Sequence, residues 1–250
     1  MHRQNILITG ASSGLGAGMA REFAQRGRNL ALCARRTERL DALREELLAK
    51  HPNIRIFVRE LDVNDHDQVF AVFRAFREDL GGTIDRFIVN AGMGKGASIG
   101  TGYFYANKQT AMTNFVAALA QCEAAMEILR AQNAGHLVTI SSVSAMRGLP
   151  RALTTYAATK AGLAALTEGI RSDVLGTPIV VSTMFPGYIR SEMNERVKRT
   201  PFMIDTETGV RALARAIESE KTTAFVPAWP WALVAFLMKR LPLGAVRKLF

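Results

Sequence analysis

Asn5-Ile6-Leu7-Ile8-Thr9-Gly10-Ala11-Ser12-Ser13-Gly14-Leu15-Gly16 is the stretch on which the fold turns. Residues 5–9 form a short apolar run that reads as a strand. Three glycines follow at Gly-x3-Gly-x-Gly spacing, and a helical pattern takes over from about Leu15 to Gln25. A strand, a glycine-rich turn and a helix N-terminus, in that order, build a cradle for a phosphate. Glycine lets the backbone approach closely, and the first-turn N–H groups and the helix dipole favour the anion. An ordinary glycine-rich turn would read similarly, and the spacing is not G-x-G-x-x-G. The position at the head of an alternating chain favours the cradle.

Beyond this opening the chain keeps alternating. Strands are expected near 29–34, 54–59, 84–90, 136–141, 178–184 and 223–227, and helices near 38–50, 65–80, 103–133, 152–174 and 206–219. The breaks are His51-Pro52-Asn53, Gly81-Gly82, Gly135 and Gly176-Thr177-Pro178. Runs such as FIVNAG and HLVTIS are almost continuously apolar, as in a parallel sheet covered on both faces. The expected fold is α/β: a single-domain, Rossmann-like, doubly wound parallel sheet of about seven strands with helices on both faces and right-handed crossovers. Ligands of such a sheet sit beyond the C-terminal strand ends. Gly10, Arg35, Asp62, Asn90, Ser142 and Pro186 fall at those ends in turn.

Composition sets bounds on the rest. A chain of 250 residues suits one α/β domain with a large core, and 48% apolar with 22% charged residues is ordinary for a globular protein. Cys33 and Cys122 lie in apolar patterns and read as buried thiols, without disulfide or metal spacing. A core strand begins almost at once, leaving no room for a signal peptide, so a cytoplasmic protein is expected. The net charge is +10, and Lys221, Lys239, Arg240, Arg247 and Lys248 supply half of it from a stretch without any acidic residue. No nucleic-acid motif or stacking platform accompanies them, so nucleic acid is not an expected partner.

Tyr156-Ala157-Ala158-Thr159-Lys160 is the second informative stretch. On a helix these two side chains share a face one turn apart. An ammonium beside a phenol favours the phenolate and brings a poor acid toward working pH, where it can exchange a proton with a carbonyl or alcohol oxygen.

Together, Thr9-Gly10-x3-Gly14-x-Gly16, Asn90-Ala91-Gly92, Ser141-Ser142 and Tyr156-x3-Lys160, with Asp62-Val63 and Pro186-Gly187, resemble the short-chain dehydrogenase/reductases over roughly residues 4–227, in an actinobacterial-type branch. The resemblance implies four catalytic residues. Tyr156 would be the acid in reduction and the base in oxidation. Lys160 would hold the nicotinamide ribose and lower the Tyr156 pKa. Ser142 would polarise the substrate carbonyl, and Asn114 would support a water relay. Ser141 and Asn107 are the neighbouring alternatives to Ser142 and Asn114. Ser142 to Tyr156 is one residue longer than the family's usual spacing, and the extra residue is expected within Pro150-Arg151-Ala152-Leu153.

For the cofactor, the cradle comprises Gly10, Ser12, Ser13, Gly14, Leu15 and Gly16. The resemblance adds Asp62 and Val63 at the adenine, Asn90, Ala91 and Gly92 near the ribose, Tyr156 and Lys160 at the nicotinamide end, then Pro186 and Gly187, with Ile189 and Ser191 near the carboxamide. Ser191 stands where the family usually has Thr. After the second strand the chain reads Leu32-Cys33-Ala34-Arg35-Arg36. An acidic residue there would bind a ribose 2′-hydroxyl, whereas arginine accommodates a 2′-phosphate. NADP(H) is therefore the expected cofactor, the alternative being that Arg35 and Arg36 only begin a solvated helix.

The expected pocket walls are Met93–Gly102, Met146–Leu153 and Arg190–Asp205. The last is an amphipathic cover or a surface loop. The expected activity is that of an NADPH-dependent oxidoreductase acting on an apolar, lipid-derived ketone or the matching secondary alcohol. A nucleotide-binding scaffold and a membrane-surface assembly factor are the alternatives. Residues 1–228 would form the catalytic domain. Residues 229–250 would be an apolar, basic tail packed on the domain, on a partner or on a membrane surface. The run Pro227–Met238 is too short to span a bilayer but fits an interfacial contact. A homodimer or homotetramer through the helices near 103–133 and 152–174 is implied by the resemblance alone.

Overall fold

The computed structural model describes residues 3–190, Glu192 and residues 202–249. Seven parallel strands form one sheet: β1 (Asn5–Thr9), β2 (Asn29–Ala34), β3 (Ile56–Glu60), β4 (Arg86–Val89), β5 (Gly135–Ile140), β6 (Ile179–Pro186) and β7 (Thr223–Val226). Their order is β3-β2-β1-β4-β5-β6-β7. The order reverses between β1 and β4, which opens a crevice at their C-terminal ends.

The helices are α1 (Gly14–Gln25), α2 (Thr37–Lys50), α3 (His66–Asp79), α4 (Phe104–Ala111), α5 (Ala117–Gln132), α6 (Leu153–Asp173), α7 (Thr206–Glu218), α8 (Ala228–Arg240) and α9 (Leu243–Leu249). Two begin on side-chain caps, with Asp65 accepting from the Gln68 N–H and Asp205 from the Thr208 N–H. Strands β1, β2, β4 and β5 are buried on both faces, so successive side chains feed two cores. Ile6 and Ile8 pack with Met19, Phe23, Leu40 and Leu213 on one side, and Leu7 packs with Phe73, Phe76, Phe87 and Leu163 on the other. Cys33 and Cys122 are buried free thiols, and burial raises both, Cys122 to about 12.

The helix expected over 103–133 runs without a break from Phe104 to Gln132. A π turn at Met112–Val116 joins α4 to α5. The tail packs on the body through α8 and α9. Met238 and Val246 join Leu149 and Ala157, and fully buried Trp231 joins Val143 and Phe185.

Near the N-terminal edge of the sheet lies a buried polar group. Arg86 donates through Nε to His136 Nδ1 at 3.0 Å and through Nη2 to Glu220 at 3.3 Å. Because Nδ1 accepts, the His136 proton sits on Nε2 and faces Ser182 Oγ at 2.8 Å. Burial and the nearby guanidinium of Arg86 hold this imidazole well below its ordinary pKa, so it is neutral.

Candidate active site

The crevice is a cleft of about 360 Å³ lined by the C-terminal ends of the central strands and the loops that follow them. Thr9 and Asn90 join its two halves. Thr9 Oγ1 accepts from the N–H groups of Asn90 (3.0 Å) and Ala91 (3.1 Å), and Asn90 Nδ2 donates to the Thr9 carbonyl at 2.9 Å. Gly10 turns the chain at φ +65°, and a Cβ on Gly16 would lie 2.3 Å from the Gly10 carbonyl oxygen. Turn and helix therefore touch backbone to backbone. The first-turn N–H groups of α1, which have no intrahelical acceptor, are left at the cleft with Ser12, Ser13, Gly14 and Leu15.

Arg36 sits at the outer end. Its Nη2 donates to Ser13 Oγ at 2.7 Å and Ser12 Oγ at 3.2 Å, and its Nη1 to Glu192 at 3.4 Å. Arg35 is exposed in the same lining. Asp62 and Val63 line the cleft as expected, with the Asp62 carboxylate accepting from the Asn64 N–H (3.0 Å) and Asn64 Nδ2 (2.9 Å). Ala91, Gly92, Pro186, Gly187 and Ile189 also line it, whereas Ser191 lies outside the described residues.

Deeper in, Tyr156 and Lys160 stand one turn apart on α6. Lys160 is buried and donates to the Ile140 carbonyl at 2.8 Å, with Nζ 5.9 Å from the Tyr156 ring centroid. Burial brings its ammonium down to about 8. Tyr156 moves opposite to the sequence expectation. It is partly exposed to the cleft, but the cleft is deep, and desolvation raises the phenol above its ordinary value. The hydrogen bond with Ser142 pulls the other way without reversing the shift. A phenol with a raised pKa is a proton donor throughout the neutral range.

The choice between the two serines follows from their bonds. Ser142 lines the cleft with Tyr156 and accepts from the Ser144 N–H at 3.1 Å, while Ser141 donates to the Lys160 carbonyl at 2.8 Å, fixing α6 to β5. The residues between Ser142 and Tyr156 include Arg151, at φ +60°. Asn114, in the π turn, accepts from the Met93 N–H and donates to the Met93 carbonyl, both at 2.8 Å. Asn107 makes the equivalent pair with Ala97 at 3.1 and 3.2 Å, and Thr110 donates to the Lys95 carbonyl. These bonds pin the glycine-rich wall that begins at Met93.

Sequence reasoning missed three residues. Tyr188 lines the inner cleft and meets Trp231 edge-on at 5.6 Å between ring centroids. Its position directly after Pro186-Gly187 was the available signal. Trp231 itself, seated against Gly187, has no sequence link to the site. Glu192 reaches the outer end across 156 positions from Arg36.

The donor set fits a dinucleotide: a backbone cradle that a Cβ would fill, and a guanidinium held by two hydroxyls at one end. Residues 4–201 match the short chain dehydrogenase family model. The chain belongs to that family. An uncharacterized oxidoreductase of Mycobacterium tuberculosis is 53% identical over 98% of this chain and 97% of its own length. A short-chain dehydrogenase/reductase of Burkholderia phymatum, solved with NAD, superposes with a TM-score of 0.84 over 99% of this chain and 97% of its own, at 21% identity. A short-chain dehydrogenase of Sphingobium yanoikuyae, solved with NADPH, gives 0.80 over 96% and 97% at 26% identity. The fold class and the oxidoreductase class are thereby established for this short-chain dehydrogenase.

Proposed function

We propose that this short-chain dehydrogenase is an NADPH-dependent carbonyl reductase acting on an apolar, lipid-derived ketone, or on the secondary alcohol in the reverse direction. The observation that carries the reading is Ser142, Tyr156 and Lys160 gathered in one cleft whose other end presents Arg36 on Ser12 and Ser13. The cradle from Gly10 to Gly16 would hold the pyrophosphate, Arg36 and Arg35 the 2′-phosphate, Asp62 and Val63 the adenine, and Asn90, Ala91 and Lys160 the riboses. The bound cofactor supplies a hydride to the carbonyl carbon.

The chain's own residues handle the oxygen. Ser142 and Tyr156 both donate to it, which polarises the carbonyl. As charge develops on the oxygen, the Tyr156 proton passes to it and the product is the alcohol. The raised value keeps Tyr156 protonated, the form this role requires. Lys160 is fixed through Ile140, and Asn114 fixes the Met93 wall beside it. Met93, Val143, Leu153 and Tyr188 give the substrate end an apolar character, which favours a hydrocarbon-rich ketone.

Tyr156→Phe should keep NADPH affinity and lose turnover by about 10² to 10⁴, the usual share of general acid catalysis. Assaying a graded series of aliphatic ketones checks both halves of the reading. Near-normal turnover by the folded variant would refute the assigned acid, and no gain with chain length would refute the apolar substrate.

In this reading residues 1–228 are the catalytic domain of a cytoplasmic protein that assembles as a homodimer or homotetramer, and residues 229–250 add a peripheral membrane contact. The specific support for that contact is the outer face of the tail. Leu233, Phe236, Leu237 and Leu243 are exposed there, Arg240 lies over the Phe236 ring at 4.9 Å, and no acidic residue follows Glu220. Among the described residues no helix is long and apolar enough to cross a membrane, so the contact would be interfacial. Leu233→Glu with Phe236→Glu should abolish flotation with anionic vesicles while leaving NADPH binding intact. Unchanged flotation removes the membrane from the account.

A further inference from the structure

Glu192 occupies an unusual position. Its carboxylate lies between two guanidinium groups, accepting from Arg39 Nη1 at 2.7 Å and Arg36 Nη1 at 3.4 Å. Arg36 is at the same time oriented by Ser12 and Ser13, and Glu192, Arg36, Ser12 and Ser13 all line the outer end of the cleft. Two guanidinium groups converge on one point, one of them held in place by two hydroxyls, and here a protein carboxylate occupies that point. Arginine pairs with carboxylate and with phosphate through the same planar donors, so the two anions compete for one set of N–H groups.

We propose that Glu192 is a resident anion in the 2′-phosphate site and sets how strongly the chain discriminates NADPH from NADH; the proposal rests on the reading of the cleft given above. A 2′-phosphate must displace the carboxylate from Arg36 or sit beside it against like charge. A ribose 2′-hydroxyl is neutral, leaves the pair in place and can donate to a carboxylate. Glu192 therefore weakens NADPH binding and leaves NADH binding nearly untouched, which narrows the preference that Arg36 alone would give. The pairs are solvated, with Glu192 52% exposed, so the effect is modest.

The test is equilibrium titration of NADPH and NADH into the intact chain and into Glu192→Gln, with intrinsic fluorescence or calorimetry as the readout. An exposed glutamine keeps the size of the side chain, and equal Tm values for the two proteins confirm an undisturbed fold. The ratio Kd(NADH)/Kd(NADPH) should rise about 3- to 10-fold in Glu192→Gln, almost entirely through tighter NADPH. An unchanged ratio, with both nucleotides still bound, makes Glu192 a surface brace and overturns this inference while leaving the cofactor assignment standing. A ratio that falls overturns it too, because Glu192 would then assist the phosphate. Failure of NADPH to bind the intact chain overturns both the inference and the reading beneath it.

Discussion

Lys160 is buried against Ile140, and burial brings its ammonium to about 8, below the ordinary lysine range. The consequence for stability has a definite sign. At pH 7 the side chain is protonated in both the folded and unfolded chains, and the fold bears the cost of a buried charge. As pH rises through about 8 the folded chain releases the proton first, and the unfolded chain follows only near pH ~10.4. Stability relative to Lys160→Met should therefore increase between pH 7 and 9.5, read by urea unfolding of both proteins. A difference that stays flat would show that the ammonium carries no burial cost. The measurement stops short of pH 10 because Tyr156, whose folded value is raised, begins there to favour the unfolded chain. Spacing alone revealed that these two residues share a helix face. It did not reveal the direction in which Tyr156 moves, because that depends on how much protein surrounds the hydroxyl. The Glu192 contact was illegible for a related reason: nothing local to either side chain marks a bond across 156 positions.

At the scale of elements, the sequence conveyed the alternation and the β1–α1 turn, because apolar runs and glycine spacing are local signals. It did not convey the π turn at Met112–Val116, since its residues have ordinary helical preferences and a long-range bond from Asn114 to Met93 accompanies it. The β1–α1 turn is also where an element can be tested. Gly16 lies so close to Gly10 that a Cβ would stand 2.3 Å from its carbonyl oxygen, and the nearby Asn90 Nδ2 leaves little room for retreat. Gly16→Ala must push α1 away from the turn. Overpacking of this kind costs about 1–3 kcal/mol, and here the displacement also opens the cradle. We expect a lower Tm for Gly16→Ala and, on the proposed function, a smaller NADPH-induced shift in Tm than in the parent chain, both read in one thermal-unfolding series. A variant with lowered Tm but the full NADPH shift would mean that the Gly10–Gly16 approach serves packing alone.

On the scale of the whole molecule, the open question in the sequence was where residues 229–250 belong. Residues 228–238 are apolar all round, so no polar face distinguishes inside from outside, and sequence periodicity has nothing to report. Packing makes the distinction instead. Trp231 is fully buried between Gly187, Tyr188 and Phe202, with ring centroids 5.6 Å from Tyr188 and 6.1 Å from Phe202, while Phe236 on the same helix is 55% exposed. The two aromatic residues should therefore respond very differently to truncation. Trp231→Ala removes the largest fully buried side chain and should cost about 3–5 kcal/mol. It also withdraws support from Tyr188 at the inner cleft, so KM for an apolar ketone should rise even where the variant remains folded. Phe236→Ser removes a side chain facing solvent and should change stability by no more than about 0.5 kcal/mol. Urea unfolding of the two variants, with KM measured below the transition, separates the possibilities. Equal, small losses would place the tail outside the cooperative fold. A large loss for Trp231 alone, accompanied by a raised KM, would make the tail a support for the cleft wall through Tyr188.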